Sequence, residues 1–186
     1  MMAYGDDVKT AFDLKALSDF KQFDDSVSIA PYVGGRAHTG KALSQLKTGL
    51  FAMSGRQDAP RALILLSSGG SADDVVAPGA ELRDSGVKVT TIGLGKQANV
   101  RELITVASEP KSEHVFTAFL DTLPNAMDEI IQGVCRGNLS YSLDIEYTTV
   151  SMRKQKHVSS KIPPVYCLPC FTAGSLLVLN LHLQPK

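Results

Sequence analysis

The stretch RALILLSSGGSADD, Arg61 to Asp74, decides how the rest of the chain is read. Ala62-Leu63-Ile64-Leu65-Leu66 is an apolar run of strand length that stops abruptly at Ser67-Ser68-Gly69-Gly70-Ser71. A buried strand ending in small hydroxyl and glycine residues marks a place where backbone comes close to something else. The flanking sequence says what kind of sheet holds it. Upstream, Leu43, Leu46, Leu50 and Met53 step by three and four residues from Thr39, one stripe of an amphipathic helix that Gly55 and Pro60 close. Downstream, a short helix is expected around Asp73 to Asp84, then a strand VKVTTIGLG from Val87 to Gly95. Val100, Leu103, Ile104 and Ala107 mark a further helix, and HVFTA, His114 to Ala118, a short strand. Leu123, Met127, Ile130, Ile131 and Val134 make the cleanest helical face in the chain.

Strand and helix therefore alternate, and parallel strands joined by helical crossovers are the economical solution, because each helix covers a sheet face. The fold class expected is α/β, a doubly wound, mostly parallel sheet with flanking helices. Ligands of such sheets sit beyond the carboxyl ends of the strands, which is where SSGGS stands. The chain opens on a hairpin: MMAY, the turn Gly5-Asp6-Asp7, then VKTAFDL with Val8, Thr10 and Phe12 on one face. A mixed stretch follows, with Leu17 and Phe20 at helical spacing, broken at Pro31 and Gly34-Gly35. After Asn138 the texture changes. Leu139, Tyr141, Leu143, Ile145 and Tyr147 alternate as in a strand, but MRKQKH, KIPPVYCLPC and GSLLVLNLHL carry no βα rhythm. Residues 1–137 are expected to form the domain and 138–186 an appendage with little order beyond its first strand.

Composition narrows the function. Of 186 residues, 44% are hydrophobic and 20% charged, as in an ordinary globular domain. Lys and Arg number 19, as do Asp and Glu, so the formal net charge of +0 gives no electrostatic reason to expect nucleic acid or an anionic membrane as partner. No apolar segment reaches the roughly 20 residues of a membrane span. The start, MMAYGDD, lacks the basic flank and apolar core of a signal peptide. Cys135, Cys167 and Cys170 are the 3 cysteines, an odd number that cannot complete a disulfide framework. Cys167-Leu-Pro-Cys170 has half of a zinc-ribbon spacing, but there is no second pair, and His157 and His182 are not at a familiar ligand spacing.

The loops approach two enzymatic patterns and complete neither. Gly35-Arg-Ala-His-Thr-Gly40-Lys41 fits the phosphate-loop pattern G-x-x-x-x-G-K, but Ala42 stands where a magnesium-binding Ser or Thr belongs. The strand Ala62 to Leu66 also ends in serines instead of an aspartate. A nucleotide-binding protein of the phosphate-loop type stays open as the alternative. A hydrolase would need a nucleophile elbow G-x-S-x-G, which is absent, and His38, His114, His157 and His182 are scattered. No catalytic machinery is visible, and the protein is expected not to be an enzyme.

Five separated blocks agree in order and spacing with one family: MMAYGDDVKTAFDL, YVGGRAHTGKALSQLKTGLF, RALILLSSGGSADDV, SGVKVTTIGLG and DEIIQGVCRGN. They resemble the von Willebrand factor type A domain of the collagen VI and matrilin kind, over about residues 1 to 137. The resemblance implies a metal-ion-dependent adhesion site held by three loops. A Thr of the second loop maps onto Thr39, while Ser67 and Ser68 stand where a Thr and a metal-coordinating Asp are expected. A hydroxyl in place of a carboxylate removes a charged oxygen from a magnesium shell. The first loop, Asp-x-Ser-x-Ser after strand one, has no counterpart, because the chain opens at what would be strand two. The resemblance thus implies a degenerate metal site and an incomplete sheet, with unpaired backbone on both neighbours of the absent central strand. Thr39 is expected to serve as a helix N-cap, and no Mg2+ or other cofactor is expected.

By the same resemblance the chain is a non-enzymatic matrix or cell-adhesion module, of the kind found in a collagen VI-like chain. It would bind protein partners such as matrix proteins or collagen through a rim made of Gly34, Gly35, His38, Thr39, Ser67, Ser68, Gly69, Gly70, Ser71 and Asp73. The glycines and serines also suit ordinary turns. An extracellular place is implied, where the sequon Asn138-Leu139-Ser140 would carry a glycan. Cys135 would be left as a free thiol, its family partner lying before strand one. A polypeptide without function of its own, a fragment or pseudogene product, is the other class that the departures from the family allow.

Overall fold

The computed structural model describes residues 1–13, 20–52, 60–136 and 175–179, the last as backbone. The opening hairpin forms as its alternation predicts. Strand β1, Met2–Tyr4, turns back at Gly5 to Asp7 and pairs antiparallel with β2, Val8–Thr10. Helix α1, Phe20–Ser28, follows, and Phe23 meets Phe12 edge to face at 5.8 Å. Helix α2 runs Thr39–Gln45 and widens into a π-helical stretch, Leu46–Phe51. Strand β3 is Arg61–Ser67 and α3 is Val76–Asp84. Next come β4, Val87–Leu94, and α4, Val100–Val106. A single turn α5, Lys111–His114, leads into β5, Val115–Ala118, and α6 is Leu123–Arg136. Residues 139–147, read above as a strand, lie outside the described residues.

Strands β3, β4 and β5 are parallel, with helical crossovers between them. Alternation along the strands sends side chains to two faces. Leu63 and Leu65 of β3 with Val87 and Val89 of β4 pack against Leu43, Leu46 and Leu50, and against Leu82 of α3 and Val106 of α4. Leu66, Ile92 and Leu94 pack on the other face against Ile130 of α6, with Ile64, Phe116 and Leu123 at the margin. Each face thus buries its own helices, which is the condition for a stable parallel sheet.

The expected gap at the centre of the sheet is not there. A sixth strand, β6, Ser175–Leu179, lies parallel between β1 and β3, giving the order β2-β1-β6-β3-β4-β5. It pairs Ser175 to Leu179 with Ala62 to Leu66, and Val178 and Leu179 with Met2 and Ala3. The view of 138–186 as an appendage is therefore corrected at these residues, which sit between the two strands expected to be unpaired. The physical reason is simple. Leu176-Leu-Val-Leu179 is a continuous apolar run, the composition of a strand covered on both faces, and the slot offers backbone partners on both sides.

Candidate functional site

All strands except β2 point their carboxyl ends the same way, and the loops at that end form one rim. The β1–β2 turn is its first wall. The Gly5 carbonyl accepts from the backbone N–H of His38 at 3.2 Å, and the Asp6 N–H donates to Gly34 O at 3.1 Å. The Arg36 N–H donates to Asp6 Oδ1 at 2.7 Å. Two glycines permit this closeness. Gly35 has φ +84°, and a Cβ there would fall on the Asp6 carboxylate; a Cβ on Gly5 would lie 2.3 Å from Gly34 O. His38 Nδ1 stands 3.0 Å from Gly5 O and 3.1 Å from Arg36 O. Both partners are acceptors, so the network assigns the ring proton to Nδ1, which donates to both.

The second wall is the loop after β3. Ser67 is buried and its Oγ donates to Gly69 O at 2.9 Å, curling the loop back on itself, while Ser68 and Gly69 are half-buried and Gly70 exposed. Ser71 and Asp73 then reach the start of α2. The N–H of Thr39 donates to Ser71 Oγ at 3.0 Å, that of Gly40 to Asp73 Oδ1 at 2.9 Å, and that of Lys41 to Asp73 Oδ2 at 2.7 Å. Ser71 Oγ donates in turn to Asp73 Oδ1 at 2.6 Å. Partial burial works against the charged carboxylate. The bonds from Ser71, Gly40 and Lys41 and the nearby His38 outweigh it, holding Asp73 below the usual aspartate range.

Thr39 is therefore not the N-cap. His38 occupies that position without a side-chain cap, Thr39 is the first helical residue, and the cap comes from a loop some thirty residues later in the chain. A carboxylate that meets two first-turn amides and the positive end of a helix is a stronger acceptor than a hydroxyl at the N-cap itself. The Thr39 side chain is only 5% exposed and its Oγ1 lies 3.5 Å from the Tyr4 hydroxyl. Thr39 and Ser67 line one side of a small cleft completed by Glu102, Leu103 and Val106.

Glu102 and Asn99 belong to this site and were not singled out in the sequence. Glu102 Oε2 accepts from the Ser71 N–H at 2.8 Å, and Oε1 from Asn99 Nδ2 at 2.7 Å. The signal was present as Asn99-Val-Arg-Glu102, the spacing of a capping box, but here the glutamate serves the neighbouring loop. Cys135 lies in the last turn of α6, and Asn138, Cys167 and Cys170 lie outside the described residues.

A magnesium ion would need several oxygens converging from these loops. Among the described residues no three His, Cys, Asp or Glu side chains come together where they could hold a metal. Both Asp73 oxygens are engaged by amides of α2, and the Ser67 hydroxyl is turned to Gly69 O. Among the described residues these oxygens are thus already engaged within the chain, and a hard divalent ion would have to displace those bonds. The phosphate-loop pattern of Gly35 to Lys41 runs into the same helix start. The amides that would cradle a phosphate are those of α2, where Asp73 already sits, and the Lys41 ammonium pairs with Asp7 at 3.3 Å.

Residues 1–128 match the von Willebrand factor type A domain. The chain belongs to that family. A segment of this type A chain is 32% identical over 135 residues to the collagen alpha-1(XII) chain of Notophthalmus viridescens, covering 71% of this chain and 14% of that one. The von Willebrand factor A domain-containing protein 1 of Mus musculus is 33% identical over 176 residues, covering 92% of this chain and 39% of that protein. Matrilin-2 of Mus musculus is 28% identical over 141 residues, 73% of this chain and 15% of that protein. The type A chain thus spans well under half the length of these relatives. Among solved structures, proximal thread matrix protein 1 from the mussel byssus shares the fold, with a TM-score of 0.67 at 23% identity, over 72% of this chain and 35% of that one.

Proposed function

We propose that this type A domain is a non-enzymatic, protein-binding module of the extracellular matrix, and that its rim recognises matrix proteins or collagen without chelating a ligand carboxylate through a metal ion. Relatives named as collagen and matrilin chains support the class: a protein-binding adhesion module. The observation that carries the metal-independent part is Asp73. Its carboxylate, with Ser71, ties the loop after β3 to the start of α2, so the rim is braced by hydrogen bonds within the chain.

The binding surface in this reading is the rim itself: Gly34, Gly35 and His38 on one wall, Ser68, Gly69 and Gly70 on the other, with Thr39, Ser67, Ser71 and Asp73 holding the floor between them. Large apolar side chains stand at the same end of the sheet. Tyr32 is 62% exposed, and Phe119 and Leu120, just beyond β5, are 50% and 54% exposed. Aromatic groups flanked by polar loops suit a protein interface. A secreted place belongs to this reading, supported by the matrix relatives, and with it a glycan at Asn138. Among the described residues no helix is long and apolar enough to cross a membrane.

The test pairs stability with binding. The thermal transition, followed by circular dichroism, is expected not to move on adding millimolar Mg2+ or Mn2+. Capture on immobilised collagen or matrix protein is expected to survive EDTA. A transition raised by metal, or capture abolished by chelator, overturns the proposal.

A further inference from the structure

We infer that the slot between β1 and β3 is a strand-exchange site, in which Ser175–Leu179 from a second copy of this chain can take the place of the chain's own β6. The slot is formed by backbone. Five residues of β6 pair with Ala62 to Leu66, and two of them also pair with Met2 and Ala3. Ladder hydrogen bonds do not distinguish one copy's strand from another's, so the slot accepts either on equal terms. The choice is set by the connection. Residues 137–174 separate the end of α6 from β6. A connection of that length can extend to on the order of 100 Å, far beyond the width of one domain. Binding of a neighbour's strand is second order in protein, whereas return of the chain's own strand is first order, so the balance shifts with concentration. At high protein concentration, the strand of a neighbour competes.

Exchange of this kind is reciprocal, so two copies complete each other and close as a two-fold dimer with no further edge exposed. Its effect reaches the rim. β1 leads into the Gly5 turn and β3 into Ser67, so whichever copy fills the slot fixes the spacing of the two rim walls. A strand-exchanged dimer carries two complete rims. In a matrix, that arrangement gives two-point attachment.

Ala62 and Ser175 are register partners and supply the test. In full-length chains with Cys135, Cys167 and Cys170 changed to Ser, Ala62→Cys is placed in one tagged copy and Ser175→Cys in a differently tagged copy. The two are unfolded together in urea, refolded and oxidised. A disulfide joining the two tags is expected, its yield rising at least tenfold between roughly 10 µM and 1 mM protein, as a second-order association requires. The same-chain double variant, Ala62→Cys with Ser175→Cys, should close internally at low concentration. Internal closure without any mixed species at high concentration overturns exchange, and failure of the internal control to close removes β6 from the slot and the inference with it. Sedimentation of the unsubstituted chain refolded at about 1 mM checks the same point without variants. Dimers are expected there, and monomer alone overturns the inference.

Discussion

Replacing Asp73 with Ala is the sharpest test of how the rim is held. The substitution removes one carboxylate and three contacts: Gly40 N–H at 2.9 Å, Lys41 N–H at 2.7 Å and Ser71 Oγ at 2.6 Å. Loss of a helix N-terminal acceptor is worth about 0.5–2 kcal/mol. Asp73 is half-buried, and water can replace part of what it gives, so the full strength of three charged hydrogen bonds is not lost. A destabilisation of about 1–2 kcal/mol is expected. For a chain of this size each kcal/mol lowers the melting midpoint by about 2–4 °C, so the shift should be about 2–8 °C, read by circular dichroism or urea titration. Asp73→Asn keeps one acceptor and should lie between. Ser71→Ala combined with Asp73→Ala should be non-additive by at least about 0.5 kcal/mol, because the two side chains form one network.

The sign with pH follows from the lowered carboxyl. A group whose folded pKa is depressed stabilises above its unfolded value, near 4, and that contribution disappears as pH falls through the folded value. The gap between wild type and Asp73→Ala should be full at pH 6 to 7 and close in strong acid. An unchanged midpoint for Asp73→Ala, or a loss seen only when metal is present, refutes the argument that this carboxylate is a brace.

Three further outcomes are expected. Gly40→Ala puts a Cβ 1.9 Å from the Asp74 carbonyl, backbone against backbone, and should destabilise by about 1–3 kcal/mol in urea titrations. His114 is fully buried; burial, aided by Lys88, lowers its pKa, and its Nε2 has no partner among the described residues. Stability should therefore fall as pH drops below about 6.5, the unfolded histidine value, and His114→Leu should flatten that slope between pH 7.5 and 5.5. Leu177→Pro removes a backbone donor from a strand paired on both sides, opposite Ile64, and should abolish or strongly lower the cooperative melt, whereas a proline in a loose tail would leave it unchanged.

Local periodicity made most of the fold legible. The strand expected at Ala62 to Leu66 is Arg61–Ser67, and the one expected at Val87 to Gly95 ends at Leu94. The helical face through Ile130 and Val134 is the one that buries against the sheet. What escaped was non-local. His114 was read as the first residue of a strand; it closes α5 and pairs its Nδ1 with Thr90 Oγ1 at 3.0 Å across the sheet. The local rule puts the cap of α2 at Thr39, but it comes from Asp73. β6 escaped for a related reason. Its apolar run was visible, but nothing local says which strands it joins, and the absence of a helix-strand rhythm after Asn138 argued against its joining any. Sequence position predicts neighbours in βα units; it does not predict a strand that returns to the centre from residue 175.

The rim and the slot also constrain one another, and this bears on metal. A cation entering beside Thr39 and Ser67 would have to take oxygens from Asp73 or Glu102, the nearest acidic groups described in the network. Asp73 is held by two helix amides and a hydroxyl, and Glu102 by the Ser71 amide and Asn99. Freeing either takes the acceptor from the Gly40 or the Ser71 N–H, both at least partly buried, a cost of about 1–3 kcal/mol for each. The ion would also have to find the rest of its shell among hydroxyls, which bring no charge to offset its dehydration. In the proposed metal-independent reading, a rim whose carboxylates are committed to backbone amides is held by those bonds. It also gains from whatever keeps β1 and β3 in register beneath it.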